Sequence, residues 1–226
     1  MHSSLTTDLI HAFRTNGVTL IRGMFADCVQ ALRDGVAFNL QHPGPYAAEN
    51  LTDTESGRFF DDYCNWTRIP EFSDVIHRPH IAQIAAELMG SDIVQLFHEH
   101  VLVKEPGTSK PTPWHSDAPY YFTGGQQNIS FWVPLDPVKE NSLRVVAGSH
   151  KWQKPVLPTR WLSEQNFYPD SDLYQPVPNP DAEGMNIIEY NMQPGDAVAF
   201  HFNALHGARG NHSAKRRRAF SLRLLG

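Results

Sequence analysis

Residues 92–105 read "DIVQLFHEHVLVKE". Its β-branched and aromatic content reads as a strand, and strand geometry puts His100 and Lys104 on the same face. The segment marks a change in the chain's character. Beyond it come "NISFWVPLD" (128–136), "LRVVAGSH" (143–150), "NIIEYNM" (186–192), "DAVAFHF" (196–202) and "RAFSLRLL" (218–225). All are short and rich in β-branched and aromatic residues, and turn signals at Pro106-Gly107, Gly124-Gly125, Glu140-Asn141 and Pro194-Gly195 separate them. Many short strands punctuated this way predict a sandwich or barrel. The stretch from Lys151 to Pro180 breaks the rhythm with prolines and aromatics, and a loop of that length is expected to act as a lid or binding loop.

Upstream the pattern is helical. "TTDLIHAFRTNG" predicts a helix capped by Thr7, striped by Leu9, Ile10 and Phe13, and ended by Asn16-Gly17. "VTLIRGMF" follows as a strand, "ADCVQALRDGVAFNL" as a second helix and "HIAQIAAELMG" as a third, closed by Gly90. The expected architecture is one domain over 1–226. A helix-rich part (1–90) packs on a β core (91–226) that carries a lid-like insertion near 151–180. The fold class is mainly β with flanking N-terminal helices.

Composition bounds the function. With 41% hydrophobic and 19% charged residues the chain is globular, and a formal charge of −5 gives no bulk attraction for nucleic acid. The 2 cysteines are too few for a disulfide framework, so a reducing cytoplasm is expected. The opening "MHSSLTTDLIHAF" has no basic segment followed by an apolar core, so no secretory signal is expected, and no apolar run is long enough for a membrane span. The sequence sets no oligomeric state.

The chemistry starts at "PWHSDA", residues 113–118. In an extended segment His115 and Asp117 point the same way, offering a neutral nitrogen and an anionic oxygen. Among 12 histidines an H-x-D pair is unremarkable by itself, and a third ligand has to come from elsewhere. The best candidate is His206, in "AFHFNALHGARGN" at a strand end. Two histidines and one carboxylate on one triangular face leave positions open for a bidentate cosubstrate and dioxygen, which suits Fe(II). Such a cosubstrate is usually a 2-oxo acid, whose far carboxylate calls for an arginine fork. Parity in "RRAFSLRLL" puts Arg217, Ala219, Ser221 and Arg223 on one face and Arg216, Arg218, Phe220 and Leu222 on the other. If that face is the barrel interior, Arg217 is a buried cation flanked by solvated ones.

The ordered landmarks "WHSD…NISFWVPLDPV…NSLRVVAGSHKW…PGDAVAFHFNALHGARGN…RRAFSLRLL", with "DLIHAFRTNGVTLIRGMF" at the start, resemble the phytanoyl-CoA dioxygenase family of Fe(II)/2-oxoglutarate oxygenases. The resemblance covers nearly the whole chain. It implies a double-stranded β-helix core (jelly-roll, cupin-like), with His115, Asp117 and His206 as iron ligands and Arg217 on the 2-oxoglutarate C5 carboxylate. It also implies Trp132 and His100 as cosubstrate-lining residues. Lys104, on the face of His100, is a further candidate for the cosubstrate. Tyr120, Tyr121 and Phe122 follow the metal pair and are candidates for the substrate mouth. Trp152, Trp161, Phe167, Tyr168 and Tyr174 suggest a partly apolar pocket or lid.

The implied activity is hydroxylation of a small molecule with release of succinate and CO2, since halogenating relatives lack the carboxylate that Asp117 provides. Three departures stand out. Ala208 replaces a common hydroxyl residue two after the distal histidine, so that hydrogen bond must be absent or replaced. Ser142 stands where glycine is common, and relatives commonly continue beyond the position of Gly226. Two rival readings remain at this stage. His98, His100 and Glu105 fit the H-x-H-x4-E pattern of cupins, with His206 as a fourth ligand, and a jelly-roll can bind a ligand without catalysis.

Overall fold

The computed structural model describes residues 5–52, 55–163, 165–169 and 172–226. The first four residues, part of the stretch read for a targeting signal, lie outside the described residues, as do 164, 170 and 171 of the long loop. Helices α1 (Thr7–Asn16), α2 (Val29–Gln41), α3 (Pro70–Ile76) and α4 (Pro79–Met89) occupy the first part of the chain. Among them run β1 (Val18–Ile21), β2 (Ala48–Glu49) and β3 (Phe59–Tyr63). There follow β4 (Gln95–Lys104), β5 (Thr112–His115), β6 (Asn128–Pro134), β7 (Leu143–Val146), β8 (Ile187–Glu189), β9 (Ala197–Phe200), β10 (His206–Ala208) and β11 (Arg217–Leu225).

A 7-stranded sheet in the order β1-β9-β6-β11-β4-β3-β2 faces a 4-stranded sheet in the order β5-β10-β7-β8, and every named strand pair is antiparallel. Two antiparallel sheets folded face to face form the expected jelly-roll. The helix-rich part differs in detail. β3 was not legible in "FFDDY", whose acidic pair hides the strand period, yet it extends the large sheet beside β4. α3 starts on Pro70, a residue suited to a helix's first turn, and is too short to show a clear period. The α1 cap is Thr6, whose hydroxyl accepts from the Leu9 N–H, and Thr7 is the first helical residue. Gly17 (φ +74°) and Gly90 (φ +65°) end α1 and α4 in the left-handed conformation that glycine adopts without strain.

Strand alternation divides the large sheet into two chemical faces. One parity, including Val101, Val103, Phe131, Val133, Phe220 and Leu222, packs against Phe25, Leu32, Phe72, Ile84 and Leu88 from the helical layer. The other parity, including His100, Trp132, Arg217, Ser221 and Arg223, turns toward the space between the sheets. There a smaller core of Val18, Leu143, Val145, Val198 and Phe200 closes one end. The fold therefore buries apolar side chains on the helix side and keeps polar ones for the interior of the roll. A register shift between Arg223 and Leu224 leaves Phe97 as an extra residue in β4, so Phe97 and His98 both reach the same cavity. No helix among the described residues is long and apolar enough to cross a membrane.

Phe131 is fully buried, whereas Phe122 is 94% exposed. Phe131→Ala is expected to destabilise the fold by about 3–5 kcal/mol, and Phe122→Ala by less than about 0.5 kcal/mol. Urea unfolding curves of the two variants check this.

Candidate active site

β5 and β10 pair with His206 directly opposite His115, which brings the two imidazole centroids to 4.2 Å. The His115 Nδ1–H donates to the Pro113 carbonyl at 2.8 Å, and the His206 Nδ1–H to the Ala204 carbonyl at 2.9 Å. Each bond fixes the tautomer and leaves the Nε2 lone pair free to ligate. Asp117 arrives by a route other than strand parity. β5 ends at His115, and Asp117 has helical backbone angles at the start of a short 3-10 turn. That turn swings its Oδ1 to 3.7 Å from both Nε2 atoms. Among the described residues this is the group whose ligand atoms, all within 4.8 Å of one another, suit a metal ion.

The other carboxylate oxygen is occupied. Asp117 Oδ2 accepts from Arg223 Nε at 3.1 Å and from the Ser130 hydroxyl at 3.2 Å. Only Oδ1 is left toward the histidines, as one-oxygen ligation requires. Burial alone would raise the Asp117 carboxyl, but Arg223 and the two imidazoles outweigh it and hold it well below the ordinary carboxylate range. Burial, then the neighbouring His206, pushes His115 down to about 3, and burial lowers His206 too. Two neutral imidazoles beside one anionic carboxylate are the protonation states a divalent cation needs. The residues present fit iron.

From this triad a narrow space of about 30 Å³ runs between the sheets to Arg217, with His100, Trp132, Ser221 and Arg223 along it. Arg217 donates from Nη1 to the carbonyls of Asn141 (2.5 Å) and Arg209 (3.2 Å). It has no carboxylate partner among the described residues, and burial brings it down to about 10. Lys104, its register partner on β4, does not line the space. Its Nζ lies 4.2 Å over the Phe59 ring and bonds to the Lys110 and Arg209 carbonyls. Burial, then Arg217's charge, pushes Lys104 down to about 5. Ala208 contributes no hydroxyl here, but Ser221 does: its buried Oγ lacks a partner among the described residues, as does Nη1 of Arg223. Orphaned polar atoms along a channel that ends at a guanidinium with no carboxylate partner among the described residues fit a dicarboxylate.

On the other side of the triad lies a cavity of about 740 Å³, lined by Tyr63, Phe97, Tyr120, Tyr121, Trp161 and Phe167 among others. Phe122 borders its mouth. Tyr120 pins the long loop, donating to the Thr159 carbonyl at 2.6 Å and accepting from the Thr159 N–H at 2.9 Å. Trp161 lies 5.1 Å from His115, centroid to centroid, and lines both the cavity and the channel. The aromatic stretch is thus divided. Trp161 and Phe167 serve this cavity, whereas Trp152, Tyr168 and Tyr174 line a separate recess behind Ser116. The cupin-like set does not assemble, because Glu105 pairs with Arg216 at 2.7 Å instead of joining His98 and His100.

Sequence reasoning missed Arg223 as a partner of Asp117, Ser130 as its second donor and Trp161 as the wall beside His115. Parity had put Arg223 on the face of Arg217. What it could not supply was the turn that carries Asp117 to it.

Replacing Arg223 with methionine is expected to free Asp117 Oδ2 and weaken Fe(II) affinity by roughly 10–100-fold, measured by metal titration. A second outcome concerns pH. Burial pushes His98 down to about 3, below its ordinary 6.5. The unfolded chain then binds more protons, so the stability this group contributes is present above pH ~6.5 and is lost as pH falls toward ~3. His98→Phe should flatten that part of the stability profile, read from denaturation midpoints across this range.

Comparison with known proteins agrees with this geometry. The phytanoyl-CoA dioxygenase (PhyH) family matches residues 13–219. A phytanoyl-CoA dioxygenase of Arabidopsis thaliana is 23% identical over 158 residues, 69% of this chain and 53% of the relative, so the chain spans about half the length of that protein. Among solved structures, the non-heme alpha ketoglutarate dependent carbocyclase SnoK from nogalamycin biosynthesis superposes with a TM-score of 0.78 at 21% identity, covering 98% of this chain and 84% of the other. EctD from S. alaskensis, crystallised with 2-oxoglutarate and 5-hydroxyectoine, gives 0.75 at 20% identity, covering 100% and 78%. With residues 13–219 matched to its family model, the chain belongs to the phytanoyl-CoA dioxygenase family.

Proposed function

We propose that the protein is an Fe(II)- and 2-oxoglutarate-dependent dioxygenase that hydroxylates a small-molecule metabolite, releasing succinate and CO2. One observation carries the reading. A buried His–Asp–His triad is joined by a narrow polar channel to a buried arginine without an acidic partner among the described residues. His115 Nε2, Asp117 Oδ1 and His206 Nε2 would hold the iron, and Arg217 the distal carboxylate of 2-oxoglutarate. Trp132 walls the channel, with Ser221 offering the hydroxyl that Ala208 lacks. When bound, iron and the 2-oxo acid supply the oxidation chemistry by which dioxygen is consumed. The chain's own residues set the geometry. Arg223 and Ser130 restrict Asp117 to one oxygen, and the backbone carbonyls of Pro113 and Ala204 aim the imidazoles. Because Asp117 fills a ligand position, the site favours hydroxylation over halide transfer. Both cysteines are free, with Cys28 buried and Cys64 exposed, which supports a reducing, cytoplasmic setting.

Anaerobic titration with Fe(II) and then 2-oxoglutarate is expected to give a charge-transfer band near ~500 nm. A featureless spectrum would count against the assignment. Arg217→Ala is expected to raise the KM for 2-oxoglutarate at least about tenfold through loss of the bidentate contact, measured by succinate release. Unchanged affinity would show that the anchor lies elsewhere.

A further inference from the structure

Asp61, Asn50 and His100, none of them an iron ligand, lie together on one side of the large cavity. Asp61 on β3 is 7% exposed and His100 on β4 is 8% exposed, and both line the cavity with Asn50. His100 Nε2 lies 2.7 Å from Asp61 Oδ2, and Asn50 Nδ2 donates to Asp61 Oδ1 at 2.6 Å. A carboxylate accepts from both neighbours, so the His100 proton sits on Nε2. In the singly protonated ring Nδ1 is then the lone-pair nitrogen, with no partner among the described residues. Such a nitrogen accepts a hydrogen bond, so it calls for an O–H or N–H donor.

The remaining walls restrict what carries that donor. Tyr46 and Tyr63 stack at 4.8 Å with an interplanar angle of 11°, and the Trp161 ring lies 22° from the plane of His100. Of the seven exposed large hydrophobic side chains among the described residues, Tyr46, Phe122 and Phe167 border this one cavity. Flat apolar surfaces concentrated at a mouth mark a binding site for a flat apolar partner. The two lining carboxylates are already engaged. Asp117 pairs with Arg223, Asp61 serves His100 and Asn50, and Arg160 lies 4.8 Å over the Phe167 ring. A volume of about 740 Å³ suits a molecule of several rings.

We propose that Asp61 and His100 form the polar anchor of the substrate site. The imidazole accepts from the hydroxyl of an uncharged, ring-bearing molecule whose apolar face lies against Tyr63, Phe97 and Trp161. This rests on the dioxygenase reading for the word substrate, but its test does not depend on iron.

The test is calorimetric titration of the full chain with 2-naphthol, 2-methoxynaphthalene, 2-acetylnaphthalene and 2-naphthalenesulfonate. It is run metal-free and again with Fe(II) and 2-oxoglutarate under argon. Wild type is expected to bind the naphthol at least about tenfold tighter than its methyl ether, which lacks the donor. His100→Phe keeps a flat ring but removes the acceptor, and should bring that ratio to within about twofold while leaving the ether's affinity unchanged. Asp61→Asn should act differently. Asn50 still donates to the oxygen at position 61, so the new amide NH2 faces His100 Nε2 and moves the ring proton to Nδ1. The preference should then shift toward 2-acetylnaphthalene, which only accepts.

Equal binding of naphthol and ether by wild type would overturn the proposal. So would tightest binding of the sulfonate, or a phenol preference that survives in His100→Phe. A His100→Phe variant that loses 2-oxoglutarate affinity but keeps its phenol preference would make His100 a cosubstrate residue instead. The charge-transfer band reports on the iron reading separately, so either idea can fail alone.

Discussion

Asp117 is a carboxylate with almost no contact with water, and in such surroundings an unpaired anion is unstable. Arg223 resolves this from the facing sheet, and the choice of oxygen matters as much as the charge. By engaging Oδ2 it leaves Oδ1 as the only oxygen facing the two imidazoles, while the backbone holds those rings with their lone pairs inward. The surrounding architecture can be read as what it takes to keep these groups in place: a strand pair to set the histidines opposite each other, a turn to deliver the aspartate, and a long inner strand to deliver the arginine.

Much of this was legible in the sequence because it depends on period. Alternation in β4, β6 and β11 separates the residues that meet the helices from those that meet the interior. His100, Trp132, Ser221 and both arginines therefore sort correctly by counting in twos. The ligand set was legible through its chemistry and through family resemblance. What escaped was non-periodic. Asp117 shares a direction with His115 through a 3-10 turn and not through an extended chain, so the right pair came from the wrong local geometry. β3 hid because Asp61 and Asp62 occupy adjacent positions, one turned to the cavity and one to a buried bond with Asn39. The dependence of Trp161 on a tether through Tyr120 and Thr159 is a long-range fact that no local pattern encodes.

Charge is distributed with economy across the interior. Lys104 and Arg217 are buried side by side at one end, and only the arginine lines the channel, because Lys104 is turned to backbone carbonyls and the Phe59 ring. At the other end the cavity is mostly aromatic, and its two carboxylates are held by partners. A molecule entering from that side meets mainly ring faces and a few hydrogen-bonding groups. The two compartments thus differ in the chemistry they welcome, and Trp161 and His100 stand where they join.

β11 lies at the centre of this arrangement, flanked by β4 and β6 over most of its length. Its two faces are committed to incompatible environments, so a slip of one residue would drive Arg218 into the roll and turn Phe220 and Leu222 away from the helices, while both interior cations would enter an oily layer. Such a mispairing forfeits the hydrophobic core at the same moment as the chemistry. Molecules that reach a stable state have thereby proofread the alignment of the interior groups, with no separate check required.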